Sequence, residues 1–312
     1  MRICVFGAGA LGSALGGLLS GSNDVFLVGR KPHVDAVRKR GLVLQGDVRR
    51  TIRLPAFTDI GRVGPPELLL ITTKAYDTMN AIKECRQWAT GDTAVLTLQN
   101  GLGNLEALRE WKGSGAFGGT TTLGSTMVSP GKVRISGLGR TMIGSELDPS
   151  HSKRLVAVFG ESGIPSRCSK DIISEIWAKA IVSACINPIT AILRVPNGKL
   201  MESRPISRLV LEVSRECERV AMAHGIELAQ THMYPRVQAV ARDTARNLSS
   251  MLQDVVRGSR TEIDQINGVF WRLSEEHGLD APLNRTLTAM VQSLDPASSR
   301  KVNIGTCYIS EL

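Results

Sequence analysis

The chain has 312 residues, 42% of them hydrophobic, roughly twice a common domain length and enough apolar material for ordinary cores without disulfide or metal staples. Its 38 Lys plus Arg against 29 Asp plus Glu leave a formal charge of +9, which favours small anionic partners. That charge is spread rather than clustered, and the three Tyr, four Trp and six Phe are not interleaved with it, which argues against a nucleic-acid surface.

The chain opens on an apolar strand, Ile3-Cys4-Val5-Phe6, that runs into Gly7-Ala8-Gly9-Ala10-Leu11-Gly12, a helix, and a second strand, Val25-Phe26-Leu27-Val28, ending at Gly29-Arg30. A G-x-G-x-x-G set between a strand and a helix is a dinucleotide loop. Gly7 permits the tight turn, Gly9 lets the backbone approach a pyrophosphate, and Gly12 lets the helix pack on the strand with its free N–H groups facing the anion. Gly7, Ala8, Gly9, Ala10, Leu11 and Gly12 are therefore expected to bind the cofactor. At the tip of the second strand an acid would read a ribose 2′-hydroxyl, whereas Arg30 and Lys31 suit a 2′-phosphate, so the expected cofactor is NADPH/NADP+.

Next come a charged helix from Pro32 to Lys39, a hairpin around Gly46-Asp47, and Glu67 to Lys74, an apolar run of the kind found in buried parallel strands. A helix over 76–87 and a strand over Thr93 to Asn100 repeat the pattern. Residues 115–145, with a turn at Ser129-Pro130-Gly131-Lys132, read as antiparallel strands added to the sheet edge, and 150–162 as the last helix of this half. From Asp171 onward amphipathic patterns dominate, over 171–193, 206–224, 247–257, 262–277 and 283–294. The expected fold class is α/β: an N-terminal Rossmann-type doubly wound sheet over 1–168 and a second, all-helical domain over 169–312.

Six cysteines, at 4, 85, 168, 185, 217 and 307, form no C-x-x-C pair and have no His at ligand spacing, so no metal is called for and they read as reduced thiols of a cytoplasmic protein. Cys4, Cys185 and Cys217 are expected in cores, with Cys85 and Cys307 more exposed. Glycines at 7, 9, 12, 16 and 17 interrupt the N-terminal apolar stretch, so no cleavable signal is expected, and no segment reads as the ~18 apolar residues of a membrane span.

In open α/β sheets ligands lie beyond the carboxyl ends of the strands. Lys74 follows one such end and can reach a ribose, a phosphate or a substrate carboxylate; Asn100, in Gln99-Asn100-Gly101, follows another and can orient a nicotinamide ribose or carboxamide. In the helical half, Lys179, Ser183 and Asn187 recur every four residues and form a polar stripe on an otherwise apolar helix. Burial there is expected to move the lysine towards the range in which a general acid works at neutral pH. A third polar stretch runs from Asn247 through Ser249 and Ser250 to Asp254 and on to Thr261, Glu262, Asp264 and Asn267; Ser249 or Ser250 can cap one helix and Thr261, with Asp264, the next. Capping leaves the density of polar groups unexplained, and they would equip a pocket for hydroxyl and carboxylate groups.

Over almost its full length the chain resembles the ketopantoate reductase (2-dehydropantoate 2-reductase) family. The resemblance rests on Gly7-x-Gly9-x-x-Gly12, Arg30, Thr73-Lys74, Gln99-Asn100-Gly101, Trp177-x-Lys179 through Asn187-Pro188-Ile189-Thr190-Ala191, Pro196-Asn197-Gly198, Ser249 to Asp254, and Thr261-Glu262-Ile263-Asp264-x-Ile266-Asn267-Gly268. It implies an enzyme that reduces 2-dehydropantoate to pantoate with NADPH, in pantothenate and coenzyme A biosynthesis. By that likeness Lys179 is the general acid and Glu262 a catalytic carboxylate that positions substrate and cofactor. Arg30, Lys74, Asn100 and Glu262 lie on the cofactor side; Lys74, Asn100, Lys179, Ser183, Asn187, Asn247 and Ser250 face the substrate. Ser183 departs from the family, which usually carries a second Asn there, and this keeps open a related NADP-linked reductase of another branched 2-oxo acid. A non-catalytic NADP-binding sensor is the alternative from another class. The expected partner is a small 2-oxo acid, with no nucleic acid and no membrane, and the assembly open to it is a homodimer.

Overall fold

Period-two alternation explains the first half of the chain. In β1 (Arg2–Phe6), Ile3 and Val5 enter one core while Cys4 and Phe6 enter another, so both faces of the strand are buried. The computed structural model describes residues 1–295. It divides into two compact units: Met1–Ala180 with Ile226–Ala229, and Ile181–Gly225 with the chain from Gln230 on.

After β1 the first unit contains α1 (Ala10–Leu19), β2 (Asp24–Val28), α2 (Lys31–Arg40), β3 (Leu42–Gly46), β4 (Arg50–Ile52), β5 (Ala56–Phe57), β6 (Leu68–Ile71), α3 (Thr78–Cys85), β7 (Ala94–Thr97), α4 (Asn104–Lys112), β8 (Ala116–Thr121), β9 (Gly124–Ser129), β10 (Lys132–Gly137), β11 (Thr141–Gly144), α5 (Pro149–Glu161) and β12 (Ser166–Cys168). The main sheet has the order β12-β11-β8-β7-β6-β1-β2-β5 and is parallel except where β11 meets β8. On one face Ile3, Val5, Leu68, Leu70 and Leu96 pack with Leu15 and Leu19 of α1 and Leu155 and Phe159 of α5; on the other, Cys4, Leu69, Ile71 and Val95 pack with Ile82 and Cys85 of α3 and Leu105 and Leu108 of α4. This is the expected doubly wound sheet.

Residues 115–145 depart from expectation. β8 and β11 join the main sheet, but β9 and β10 leave it for a second sheet of order β4-β3-β10-β9, in which β10 pairs in parallel with β3. Val133 and Ile135 of β10 and Leu42 and Leu44 of β3 share the α1 core. Gly17 of α1 permits this close layer, since a Cβ there would meet Leu44 at 3.0 Å and Leu42 at 3.1 Å. β12 adds a parallel partner to β11 that sequence reading does not include.

α6 (Ile172–Leu193) begins in the first unit and ends in the second, which continues with α7 (Lys199–Glu202), α8 (Arg204–Ala223), α9 (Tyr234–Asp243), α10 (Ser250–Val256), α11 (Ile263–Glu276) and α12 (Pro282–Gln292). Among its described residues the second unit contains helices and their connecting turns but no strand, the expected all-helical class, with α7 and α9 additional to the sequence reading. By length and composition α6 is apolar enough to cross a membrane, contrary to the sequence reading, and 67% of its apolar window is buried inside the protein. Such burial is what a core helix requires.

Ser249 is the cap of α10, its hydroxyl accepting from Leu252 N at 3.1 Å. Thr261 does not cap α11: Glu262 occupies the cap position, where its side chain makes no capping bond to the helix, and Thr261 N donates to Asp295 at 3.2 Å. Cys85 is fully buried rather than exposed, because α3 turns it onto the sheet. Cys4, Cys185 and Cys217 are core residues as expected, and burial pushes the Cys4 thiol up to about 12. Cys307 lies outside the described residues.

Candidate active site

In the first unit the glycine loop is built around one carbonyl. Gly7 N and Ala8 N both donate to Val28 O at 2.9 Å, and Thr72 Oγ1 donates to Gly7 O at 2.9 Å, which ties the loop to the ends of β2 and β6. Gly7 sits at φ +102°, where a side chain is strained, and a Cβ on it would strike the Thr72–Thr73 backbone. A Cβ on Gly12 would collide with Gly7 O and the Thr72 hydroxyl. Gly9 is different: it is exposed, at φ −78°, and the nearest atom to a Cβ is 3.9 Å away, so nothing in the protein itself fills the space that its missing side chain leaves. No side chain caps α1 and no acid lies in its first turn. An open glycine before an uncapped, acid-free helix start fits a dinucleotide pyrophosphate.

Arg30 is exposed and occupies the N-cap position of α2, beyond the end of β2, where its side chain makes no capping bond to the helix. Lys31 is engaged elsewhere, in a solvent-exposed pair with Asp35 at 2.8 Å. Lys74 and Asn100, both half-buried, are held through Gln99, a residue that the sequence reading leaves without a role. The Gln99 amide donates to Thr73 O at 3.0 Å and to Thr78 Oγ1 at 2.9 Å, and its carbonyl accepts from Thr97 Oγ1 at 2.9 Å. Thr78 Oγ1 then donates to Asn104 Oδ1 at 2.7 Å, and Asn104 Nδ2 to Asn100 O at 3.0 Å. One buried glutamine thus locks the two polar strand ends together. A glutamine just before an Asn-Gly turn, where β7 leaves the sheet, is the signal that could have found it.

On α6, Lys179 and Ser183 are half-buried while Asn187 is 9% exposed. Two neighbouring helices brace the Asn187 turn. Thr190 Oγ1 lies 2.7 Å from Ser249 Oγ, which joins this turn to the start of α10, and Asn267 Nδ2 of α11 donates to Ala184 O at 3.0 Å. Ser250 is exposed on the first turn of α10, and Glu262 is 5% exposed at the start of α11. Asn247 is exposed, and its carbonyl accepts from Asn197 N at 3.0 Å. The Pro196-Asn197-Gly198 loop can dock there because Gly198 lies against Ala245, where a Cβ would come within 2.6 Å. Ser183, Asn187, Asn247, Ser250 and Glu262 therefore belong to elements laced within the second unit; Gly7 to Gly12, Arg30, Lys74 and Asn100 belong to the first, and Lys179 lies on the helix that runs through both. Among the described residues no group of three or more His, Cys, Asp or Glu could hold a metal.

A glycine cradle on a doubly wound sheet, followed by a helical unit whose long buried helix carries a lysine and an amide in one register, defines a dinucleotide-dependent oxidoreductase. Family comparison is specific: Ketopantoate reductase PanE/ApbA matches residues 3–147, and Ketopantoate reductase PanE/ApbA C terminal matches 171–295. The chain belongs to the ketopantoate reductase family, whose members are NAD(P)-dependent. It is 37% identical to the 2-dehydropantoate 2-reductase of Pyrococcus abyssi, covering 96% of this chain and all of that one, and 39% identical to that of Pyrococcus horikoshii, covering 94% and 97%. Among solved structures, a PanE/ApbA family ketopantoate reductase from Ralstonia eutropha superposes with a TM-score of 0.89 at 31% identity, covering 96% of this chain and 99% of that one. D-mandelate dehydrogenase, solved with NADH and anilino(oxo)acetate, superposes with a TM-score of 0.86 at 26% identity, with the same coverage.

Proposed function

We propose that this chain reduces 2-dehydropantoate to pantoate with NADPH, in the cytoplasm, as a step of pantothenate and coenzyme A biosynthesis. The observation that carries the reading is the α6 register: Lys179, Ser183 and Asn187 at four-residue intervals, with the Asn187 turn braced by α10 and α11. Family membership and the names of the relatives support the substrate. Arg30, exposed at the tip of β2 where an NAD site would place an acid, supports NADPH.

Gly7 to Gly12, Arg30, Lys74 and Asn100 would hold the cofactor, whose reduced nicotinamide supplies a hydride to the carbonyl carbon of the 2-oxo acid. As that C–H bond forms, the carbonyl π pair moves onto oxygen, and the Lys179 ammonium stabilises the growing charge and gives its proton to that oxygen. With the hydride that the bound cofactor would supply, the acid would leave as the 2-hydroxy acid, and Lys179, left neutral, would regain a proton from water. Ser183, Asn187, Asn247 and Ser250 bind the carboxylate and hydroxyl of the acid, and Glu262 orients the reacting groups. Buried thiols at Cys4, Cys85, Cys185 and Cys217, none in a disulfide, agree with a reducing compartment.

A second reading, reduction of a different 2-oxo acid, is favoured by Ser183 and by the likeness to D-mandelate dehydrogenase. The deciding experiment mixes the protein with NADPH or NADH and a panel of 2-oxo acids and follows loss of the reduced nicotinamide. The highest kcat/KM for 2-dehydropantoate with NADPH is expected. A better substrate elsewhere in the panel overturns the first reading in favour of the second, and tight NADPH binding without turnover on any acid overturns both in favour of a sensor.

A further inference from the structure

α6 contains a proline eight-tenths of the way along, and the structure shows what that costs and what repairs it. In an α-helix the carbonyl of residue i−4 accepts from the N–H of residue i, and proline has no N–H to give. Pro188 therefore leaves the carbonyl of Ala184 without its intrahelical donor, inside a stretch where every residue from Ala184 to Ala191 is buried from solvent. A buried carbonyl left unpaired costs as much as a lost hydrogen bond. Asn267, fully buried on α11, donates Nδ2–H to that carbonyl at 3.0 Å.

The orientation of the Asn267 amide is forced. Its second Nδ2–H donates to Asn284 Oδ1 at 3.0 Å, and Asn284 is itself fixed by Glu216, whose Oε2 accepts from Asn284 Nδ2 at 2.9 Å and from Asn284 N at 3.0 Å. Turning the Asn267 amide over would place its oxygen against two acceptors. The cost of this arrangement is visible: Asn267 Oδ1 is buried with no hydrogen-bond partner. An amide that spends both donors and leaves its acceptor unpaired is held for what its donors do.

We propose that Asn267 is a positioning residue that replaces the N–H missing at Pro188 and thereby fixes the turn of α6 carrying Ser183 and Asn187. Pro188 directly follows Asn187, and Ala184 directly follows Ser183, so the cross-helix bond pins the backbone between the two residues assigned to the substrate. The functional half of this inference rests on the substrate reading above; the pairing of Asn267 with Pro188 does not.

The test is a double-mutant cycle. Asn267→Leu removes both donors, Pro188→Ala restores a backbone N–H that can reach Ala184 O within the helix, and the pair is made in all four combinations. Asn267→Leu is expected to raise KM for 2-dehydropantoate about tenfold and to leave the Kd for NADPH within about twofold, because the glycine cradle lies in the other unit. Adding Pro188→Ala should return KM to within about threefold of its starting value, and Pro188→Ala alone should stay close to wild type. Thermal melting of the same four proteins gives a readout independent of substrate: the Tm lost in Asn267→Leu should be smaller in the Pro188→Ala background. If Asn267→Leu does not accumulate as folded protein, Asn267→Ser takes its place in the cycle. Equal losses with and without Pro188→Ala, in both KM and Tm, overturn the pairing. Coupling in Tm with an unchanged KM overturns the positioning role, and a wild type that binds NADPH but does not turn over 2-dehydropantoate sinks the substrate reading while the melting cycle still decides the pairing.

Discussion

Three glycines in one loop answer to different constraints, and substituting two of them separates the cofactor from the fold. Gly9→Ala places a methyl group at an allowed φ of −78°, 3.9 Å from its nearest neighbour. The unfolded chain loses freedom, which stabilises by about 0.4–1 kcal/mol, and alanine is a poorer helix cap than glycine by a similar amount. The two effects nearly cancel, so Tm should move by no more than about 2–4 °C. If the open space is where a pyrophosphate meets the backbone, the same methyl group overpacks the complex by about 1–3 kcal/mol, a loss of roughly five- to 150-fold in affinity for NADPH. Gly12→Ala behaves in the opposite sense: its Cβ would lie closer than 3.0 Å to Gly7 O and to the Thr72 hydroxyl, so the free protein carries the strain and Tm falls by roughly 4–10 °C. Scanning fluorimetry measures the first quantity and isothermal titration with NADPH the second. Wild-type affinity in Gly9→Ala would refute the argument, because it would mean that the ligand never approaches the backbone at that point.

Lys179→Ala should reduce kcat by ~10²–10⁴ while leaving the Kd for NADPH nearly unchanged, as measured by single-turnover kinetics and titration; wild-type turnover would remove the lysine from the proton transfer. Arg30→Ala should weaken NADPH much more than NADH, and equal losses in paired titrations would show that this guanidinium does not read a 2′-phosphate. A pH effect on stability is expected from His33, which is buried between α1 and the β9–β10 turn: Nδ1 accepts from Gly131 N at 3.1 Å, so the proton of the neutral ring sits on Nε2, 3.0 Å from Ser13 Oγ. Burial holds its pKa below the ordinary 6.5, so the unfolded chain binds the extra proton first; His33 contributes stability at neutral pH that is lost as pH falls below about 6.5, with a slope of at most about 1.4 kcal/mol per pH unit. Melting curves from pH 7.5 down to 5 check it, and His33→Phe should flatten that slope; an unchanged slope would assign the effect elsewhere.

How much was legible follows from which forces are local. The glycine loop could be read because a positive φ at Gly7 and a close approach at Gly12 are demands on single residues. The main sheet could be read because Leu68 to Ile71 and Ala94 to Thr97 are buried on both faces, which leaves continuous apolar runs. β9 and β10 could not be placed, since alternation in Val133 and Ile135 announces a buried face without naming the sheet, and β3, the strand on which β10 pairs, lies some ninety residues earlier in the chain. α9 escaped because it buries only Val237 and Ala241, too little to mark a periodicity. In the site, Lys179, Ser183 and Asn187 form a local pattern, whereas Asn267 serves a carbonyl 83 residues away that is vacant only because Pro188 follows it by four.

The burial of α6 also bears on specificity. At about 1.5 Å per residue, positions 179, 183 and 187 lie about 6 Å apart along one face, so the ladder spans about 12 Å. Its far end is anchored, with Asn187 nine-tenths buried and its turn bonded to two other helices, while its near end carries a long, half-buried lysine. An amide on a buried, anchored turn suits the part of the substrate that must be recognised, and an ammonium suits the oxygen whose charge changes during reaction. Ser183 stands between them, half-buried, with a short side chain that carries a single hydroxyl donor, so the middle of the ladder has a smaller group and fewer donors than either end. On the function proposed here, the substituent carried at that level of the acid is therefore the one least tightly specified. Substitutions in the 2-oxo acid that enlarge this substituent should be tolerated better than any that remove the carboxylate, and the substrate panel reads that ordering directly from kcat/KM.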